Sequence, residues 1–222
     1  MSTLDDPRVT RTLDRLHGAA RGDMRFFIRH LPMMIGMILG KEGEPPAAMS
    51  ARFKNVYIPI SREQGRFLYL TARAMGARRL VEFGTSFGVS TIYAAAAARD
   101  TGGQVIGSEL EPSKHERALA NLAEAGLADV AEVRLGDAME TLRDVPAPID
   151  LVLLDGWKDL YLPVLQLLEP KLRPGSVVLA DNIKTFRRSL APYVDYVQSG
   201  RHGFHSVTLP LKDGFEYSVR LA

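Results

Sequence analysis

Residues 151 to 162 read LVLLDGWKDLYL, an apolar run that ends in Asp155 and is followed by Trp157 and Lys158; further on, LADN sets Asp181 and Asn182 after a second apolar run. An apolar run of four to six residues bounded by turn formers reads as a buried strand of a parallel sheet, and ligands collect at the carboxyl ends of such strands. Asp155, Asp181 and Asn182 are therefore expected to meet. Two carboxylates and an amide make an all-oxygen half-shell suited to a small divalent cation that keeps its other positions for water or substrate. Lys158 is expected beside that cation.

A second group of chemical residues lies upstream. RRLVEFGTSFGVST reads as a strand, a tight loop with Gly84 and Gly88, and a helix start. The spacing is not the GxGxxG that seats a pyrophosphate on a helix N-terminus, so a cofactor without phosphate is suggested and a nicotinamide dehydrogenase is disfavoured. Glu82, just before the glycines, would repel phosphate but can accept hydrogen bonds from an ammonium group. Glu109 ends the next strand in VIGSELEP, placed to take both hydroxyls of a ribose, and GDA, with Asp137 and Ala138, ends the third. In sequence order these outline an adenosine with an amino-acid tail. Taken singly, Glu109 or Asp137 would more often be a helix cap; their succession on consecutive strand ends favours the ligand.

The elements that must hold these residues alternate. Strands are expected at 78 to 83, 104 to 108, 131 to 135, 150 to 154 and 176 to 180, with helices at 89 to 100, 112 to 125, 138 to 144, 157 to 169 and 187 to 198. That order implies a Rossmann-like, doubly wound α/β fold with a mostly parallel sheet. At the end, FHSVTLPLKDGFEYSVRL breaks the alternation: two strand-like runs flank an Asp-Gly hairpin signal, giving seven strands with an antiparallel edge. Upstream, apolar positions at helical spacing (Val9, Leu13, Leu16, Ala20, Met24, Phe27) predict one helix over 8 to 30, leading into the apolar stretch 31 to 40 as an N-terminal cap. Residues 41 to 55 read as a loop, and SREQ at Ser61 as the capping box of a helix running to about Gly76.

The 222 residues, 46% of them hydrophobic, suit one domain, with 1 to 60 as a cap and 61 to 222 as the core. Lys and Arg exceed Asp and Glu by only two charges, 28 against 26, which is too little for a nucleic-acid or anionic-lipid footprint and favours a small-molecule substrate. The lack of cysteine removes disulfide scaffolds and thiol nucleophiles and points to the cytosol. The start lacks signal-peptide character and LPMMIGMILG is too short to span a bilayer, so no membrane association is expected. Met33, Met34 and Met37 suit an adaptable substrate wall, cap-to-core packing or a homodimer contact.

PISREQGRFL, VEFGTSFGVST, SELEP, LDGWKDLYLP and LADN together resemble the class I S-adenosylmethionine-dependent methyltransferases, and more narrowly the metal-dependent catechol and caffeoyl-CoA type O-methyltransferases, over roughly residues 56 to 182. The resemblance implies that Ile60, Glu82, Gly84 and Ser90 line the methionine half of S-adenosylmethionine, that Thr85 also binds this cofactor and that Glu109 holds the ribose. Leu110, Asp137, Ala138 and Trp157 would surround the adenosine, with Asp155 adjoining it. Asp155, Asp181 and Asn182 would hold Mg²⁺, and Lys158 would be the general base toward a small aromatic vicinal diol. A sugar or polyketide acceptor, and a nucleoside-binding module in which Asp155, Lys158 and Asp181 only form an ion-pair network, remain alternatives. Three departures stand out: Gly156 where a larger residue is common, Val89 where Tyr is common, and no late carboxylate before DGFEY to grip a second hydroxyl. His202 and His205 are read as ordinary loop or strand residues.

Overall fold

The computed structural model describes residues 2–39 and 46–221. Among them one seven-stranded sheet is formed by β1 (Arg79–Phe83), β2 (Gln104–Glu109), β3 (Ala131–Leu135), β4 (Ile149–Leu154), β5 (Leu172–Ala180), β6 (Phe204–Leu209) and β7 (Phe215–Arg220), in the order β3-β2-β1-β4-β5-β7-β6. The first five strands are parallel, and β7 runs antiparallel between β5 and β6. Strand order reverses between β1 and β4, which opens a ligand crevice at their carboxyl ends.

The cap comprises α1 (Pro7–Ala20), α2 (Met24–Arg29), α3 (Leu31–Ile38) and α4 (Pro46–Arg52), and α5 (Arg62–Ala74) leads into β1. The crossovers are α6 (Val89–Thr101), α7 (Pro112–Glu124), α8 (Ala138–Thr141), α9 (Tyr161–Leu168) and α10 (Arg187–Gln198). Successive strand residues face opposite sides of a sheet. Accordingly Leu151, Leu153, Val177 and Leu179 join α1, α5 and α6 in one core, while Val152, Leu154, Val178 and Ala180 join α9 and α10 in the other. Ala94 to Ala98 make α6 apolar on every side, and it is buried on every side. Gly65 lets α5 approach it, since a Cβ there would lie 2.3 Å from the Tyr93 ring.

Several expectations needed correction. The single helix over 8 to 30 is interrupted by a 3-10 turn at Arg21–Asp23. Gly22 weakens helix there, and the Asp23 carboxylate accepts a hydrogen bond from the Tyr57 backbone N–H at 2.6 Å, a contact 34 residues away that outweighs local periodicity. The predicted loop contains α4, which starts on a proline and buries Met49; its residues 41 to 45 lie outside the described residues. The predicted 157 to 169 helix opens as a 3-10 turn, Lys158–Leu160, before α9. Lys158 thus precedes the α-helix by three residues. The Asp-Gly signal sits in a five-residue connection, 210 to 214, with Lys212 and Gly214 at positive φ, because β6 and β7 pair only from Leu209 opposite Phe215.

Candidate active site

Asp155 and Asp181 stand one residue beyond adjacent strands. Backbone pairing continues past the strand ends, Asp155 N–H to Phe83 C=O at 2.9 Å and Asp181 N–H to Leu154 C=O at 3.1 Å, so the two residues sit side by side on one rim. Asn182 then turns the chain at φ 67°, a left-handed conformation that Asn tolerates better than most residues. Its N–H donates to Asp181 Oδ1 at 2.6 Å. The Lys158 ammonium lies 3.5 Å from Asp155 Oδ1 and donates to Tyr161 Oη at 2.8 Å, and Tyr161 in turn donates to the Asp181 carbonyl at 3.3 Å. The 3-10 turn explains the reach, as it swings Lys158 back over the rim rather than out along a helix.

The side chains of Asp155 and Lys158 are only 13% and 15% exposed, so neither charge is well hydrated. Burial pushes the Asp155 carboxyl up to about 8, opposed first by Lys158 and reinforced by the neighbouring Asp181 and Glu82 charges. Burial also raises Asp181, opposed by Lys158 and by hydrogen bonds from Asn182 and Gln64, and lowers Lys158, opposed by both aspartates. Two buried carboxylates with one ammonium at contact distance form a site that would gain from a further cation. Among the described residues no three His, Cys, Asp or Glu side chains gather for a metal, so such a cation would rest on two carboxylates and the Asn182 amide.

At the glycine loop, Glu82 is 1% exposed, and burial raises its pKa, opposed by the nearby Ser90, Thr91 and Thr85 hydroxyls. Thr85 Oγ1 at 3.0 Å and Thr91 Oγ1 both donate to Oε2, whereas Oε1 is buried without a partner. Gly84, at φ 96°, passes so close to the β4 rim that a Cβ would lie 2.6 Å from Gly156. At Gly156 a Cβ would lie 2.4 Å from the Phe83 ring, so a larger residue there would require that ring to move. Glu109 is held by both oxygens, Oε2 accepting from the Ser86 N–H at 2.6 Å and Oε1 from the Glu111 N–H at 2.8 Å. Each oxygen keeps a lone pair for another donor.

One pocket is lined by Ile60, Gly84, Thr85, Ser90 and Asp155 together with Tyr57, Phe87 and their neighbours. Trp157 meets the Phe53 ring edge-on and, with Phe26, Met33 and Met34, packs against the cap cluster of Met49, Phe53 and Val56. Met33 and Met34 thus pack within the cap; the side chain of Met37 lies outside the described residues. Leu110 and Ala138 follow the ends of β2 and β3 as expected, but Asp137 is exposed and spends Oδ1 on the Met139 N–H at 2.9 Å as the N-cap of α8. Thr85 likewise spends its hydroxyl on Glu82. His202 stacks on Tyr196 with ring centroids 3.7 Å apart, and His205 lies exposed on β6.

Four residues at this site carried no functional signal in the sequence. Tyr57 and Phe87 stack at 3.8 Å across the pocket, and Lys114, 8% exposed, lies with Nζ 5.3 Å from the Phe87 centroid. Tyr161 was visible only as the position three residues after Lys158.

A seven-stranded sheet of this order with acidic residues along its carboxyl rim defines a methyltransferase-type fold, and comparison with known proteins agrees. Residues 81–183 match the family model described as a methyltransferase domain. The chain is 40% identical over 127 residues to the catechol O-methyltransferase of Mycobacterium tuberculosis, covering 57% of each chain. It is 31% identical to that of Niastella koreensis over 67% of this chain and 70% of that one. Among solved structures, the O-methyltransferase TomG from Streptomyces achromogenes, determined with S-adenosylmethionine, superposes with a TM-score of 0.69 at 29% identity, over 82% of this chain and 92% of the other. The chain belongs to the S-adenosylmethionine-dependent O-methyltransferases of the catechol O-methyltransferase type. No helix among the described residues is long and apolar enough to cross a membrane.

Proposed function

We propose that this protein transfers the methyl group of S-adenosylmethionine to one hydroxyl of a small aromatic vicinal diol, with Mg²⁺ or a similar divalent cation bound. The observation that carries this reading is the pair of largely buried carboxylates at adjacent strand ends, Asp155 and Asp181, with Lys158 against Asp155. Asp155, Asp181 and Asn182 would hold the cation, whose chemistry there is electrostatic stabilisation of a phenolate. S-adenosylmethionine supplies an already activated methyl group, so the chain's own tasks are positioning, proton removal and exclusion of water.

Lys158 Nζ takes the hydroxyl proton. Its lowered pKa suits a base working near neutrality, and Tyr161 and Asp155 aim it. The unpartnered Oε1 of Glu82 supports a site for the cofactor ammonium, and the two free lone pairs of Glu109 support a site for the ribose hydroxyls. Trp157, packed under the cap, would close the adenosine and acceptor side. Glu109→Ala is expected to weaken S-adenosylmethionine binding by about 1 to 3 kcal/mol, the range for losing charge-assisted hydrogen bonds. Titration calorimetry with the cofactor alone checks this, and unchanged affinity removes Glu109 from the site.

The function is tested by a methyl-transfer screen over catechols, flavonoids and hydroxycinnamates with and without EDTA. Turnover of vicinal diols that EDTA abolishes is the expected result. EDTA-insensitive turnover, or turnover of sugar or polyketide hydroxyls alone, overturns the diol and cation reading, and cofactor binding without any turnover favours the nucleoside-binding module.

A further inference from the structure

Gln64 is 0% exposed and stands in the first turn of α5. It completes the capping box: its N–H donates to Ser61 Oγ at 3.1 Å, and its Oε1 accepts from the Ser61 N–H at 2.8 Å. A glutamate would cap equally well, because the box needs only an acceptor at this position. The amide does something more. Its Nε2 donates to Asp181 Oδ1 at 2.6 Å, a contact between residues 117 apart in sequence, with Asp181 itself 2% exposed.

The amide orientation is fixed by its two partners. Reversed, it would point N–H at the Ser61 N–H and oxygen at the Asp181 carboxylate, which is repulsive at both ends. Oδ1 of Asp181 thus accepts two N–H donors, from Gln64 Nε2 and Asn182 N, each at 2.6 Å. Both described hydrogen bonds to this carboxylate end on the same oxygen, and Oδ2 is the one left for a ligand.

We infer that Gln64 is a positioning residue for cation binding: it grips Asp181 by Oδ1, fixes the rotamer and presents Oδ2 as a single ligand oxygen. This rests on the cation reading proposed above. The neutral amide matters as much as the reach. A carboxylate in its place would keep the cap but has no N–H to donate, so Oδ1 of Asp181 would lose one of its two donors and face a repelling oxygen instead.

The test is Mn²⁺ binding to the whole chain by titration calorimetry, with no acceptor present, for the wild type, Gln64→Glu and Gln64→Ala, beside thermal melting and S-adenosylhomocysteine affinity. Gln64→Glu retains the capping acceptor, so its S-adenosylhomocysteine affinity is expected to stay near wild type, with a single cooperative melting transition showing that the fold is kept. Its Mn²⁺ affinity is expected to fall about tenfold to a hundredfold, the usual effect of losing a partner that orients a metal ligand. Gln64→Ala is expected to lose Mn²⁺ affinity as well, and stability in addition. Undiminished Mn²⁺ affinity in Gln64→Glu overturns the role of Gln64 while leaving the cation site intact. A wild-type protein that fails to bind Mn²⁺ overturns the cation site itself, and this inference with it.

Discussion

Asp155→Asn is expected to reduce methyl transfer by about 10³-fold or more while leaving the fold intact. The carboxylate is one of only two anions in the proposed half-shell, and a catalytic cation contributes several kcal/mol to stabilising developing charge, each 1.36 kcal/mol being tenfold in rate. Asn is the better test than Ala because it keeps the volume beside Gly84 and a hydrogen-bond acceptor for Lys158. Asp181→Asn should behave alike. Rate measurements at saturating cofactor, with Mg²⁺ raised through the millimolar range, check the result; near-normal turnover in both variants sinks the cation mechanism.

The raised pKa of Asp155 adds a pH dependence with a definite sign. In the metal-free folded chain its carboxyl loses its proton near pH 8, whereas an unfolded aspartate does so near its ordinary value of about 3.9. Between those limits the unfolded state holds fewer protons, so this residue lowers stability as pH rises, and the penalty stops growing above about 8. Cation binding requires the anion and releases that proton. Affinity should therefore climb by up to about tenfold per pH unit toward pH 8 and then level off.

Lys158→Ala is expected to cut turnover by about 10² to 10⁴, the range for losing a general base, with S-adenosylmethionine affinity unchanged. Raising the pH should restore part of the rate, since more of the acceptor hydroxyl then ionises unaided. The geometry favours this role over an ordinary surface lysine: the ammonium is largely buried, hydrogen-bonded to Tyr161 and within ion-pair distance of Asp155. Wild-type turnover in the variant at neutral pH excludes a base. Lost cofactor affinity would instead make Lys158 a structural partner of Asp155.

By itself the sequence determined the alternation of strands and helices from β1 onward and which strand ends share a rim. Apolar runs such as LVLL and VVLA bury both sheet faces and leave polar residues only at the ends, so the meeting of Asp155 with Asp181 followed from strand periodicity. The Ser61 to Gln64 capping box was legible for the same reason, being a bond between near neighbours. Tertiary structure decided everything that depends on residues far apart in the chain. It made Gln64 a donor to Asp181 as well as a cap, broke the first helix where Asp23 meets Tyr57, and set the Phe83 ring where a side chain at Gly156 would lie. It also gave the Thr85 hydroxyl to Glu82 and Oδ1 of Asp137 to a helix cap. Periodicity reports how a segment partitions between core and solvent; it carries no information on which distant donor will satisfy a buried polar atom, and only the packed fold settles that.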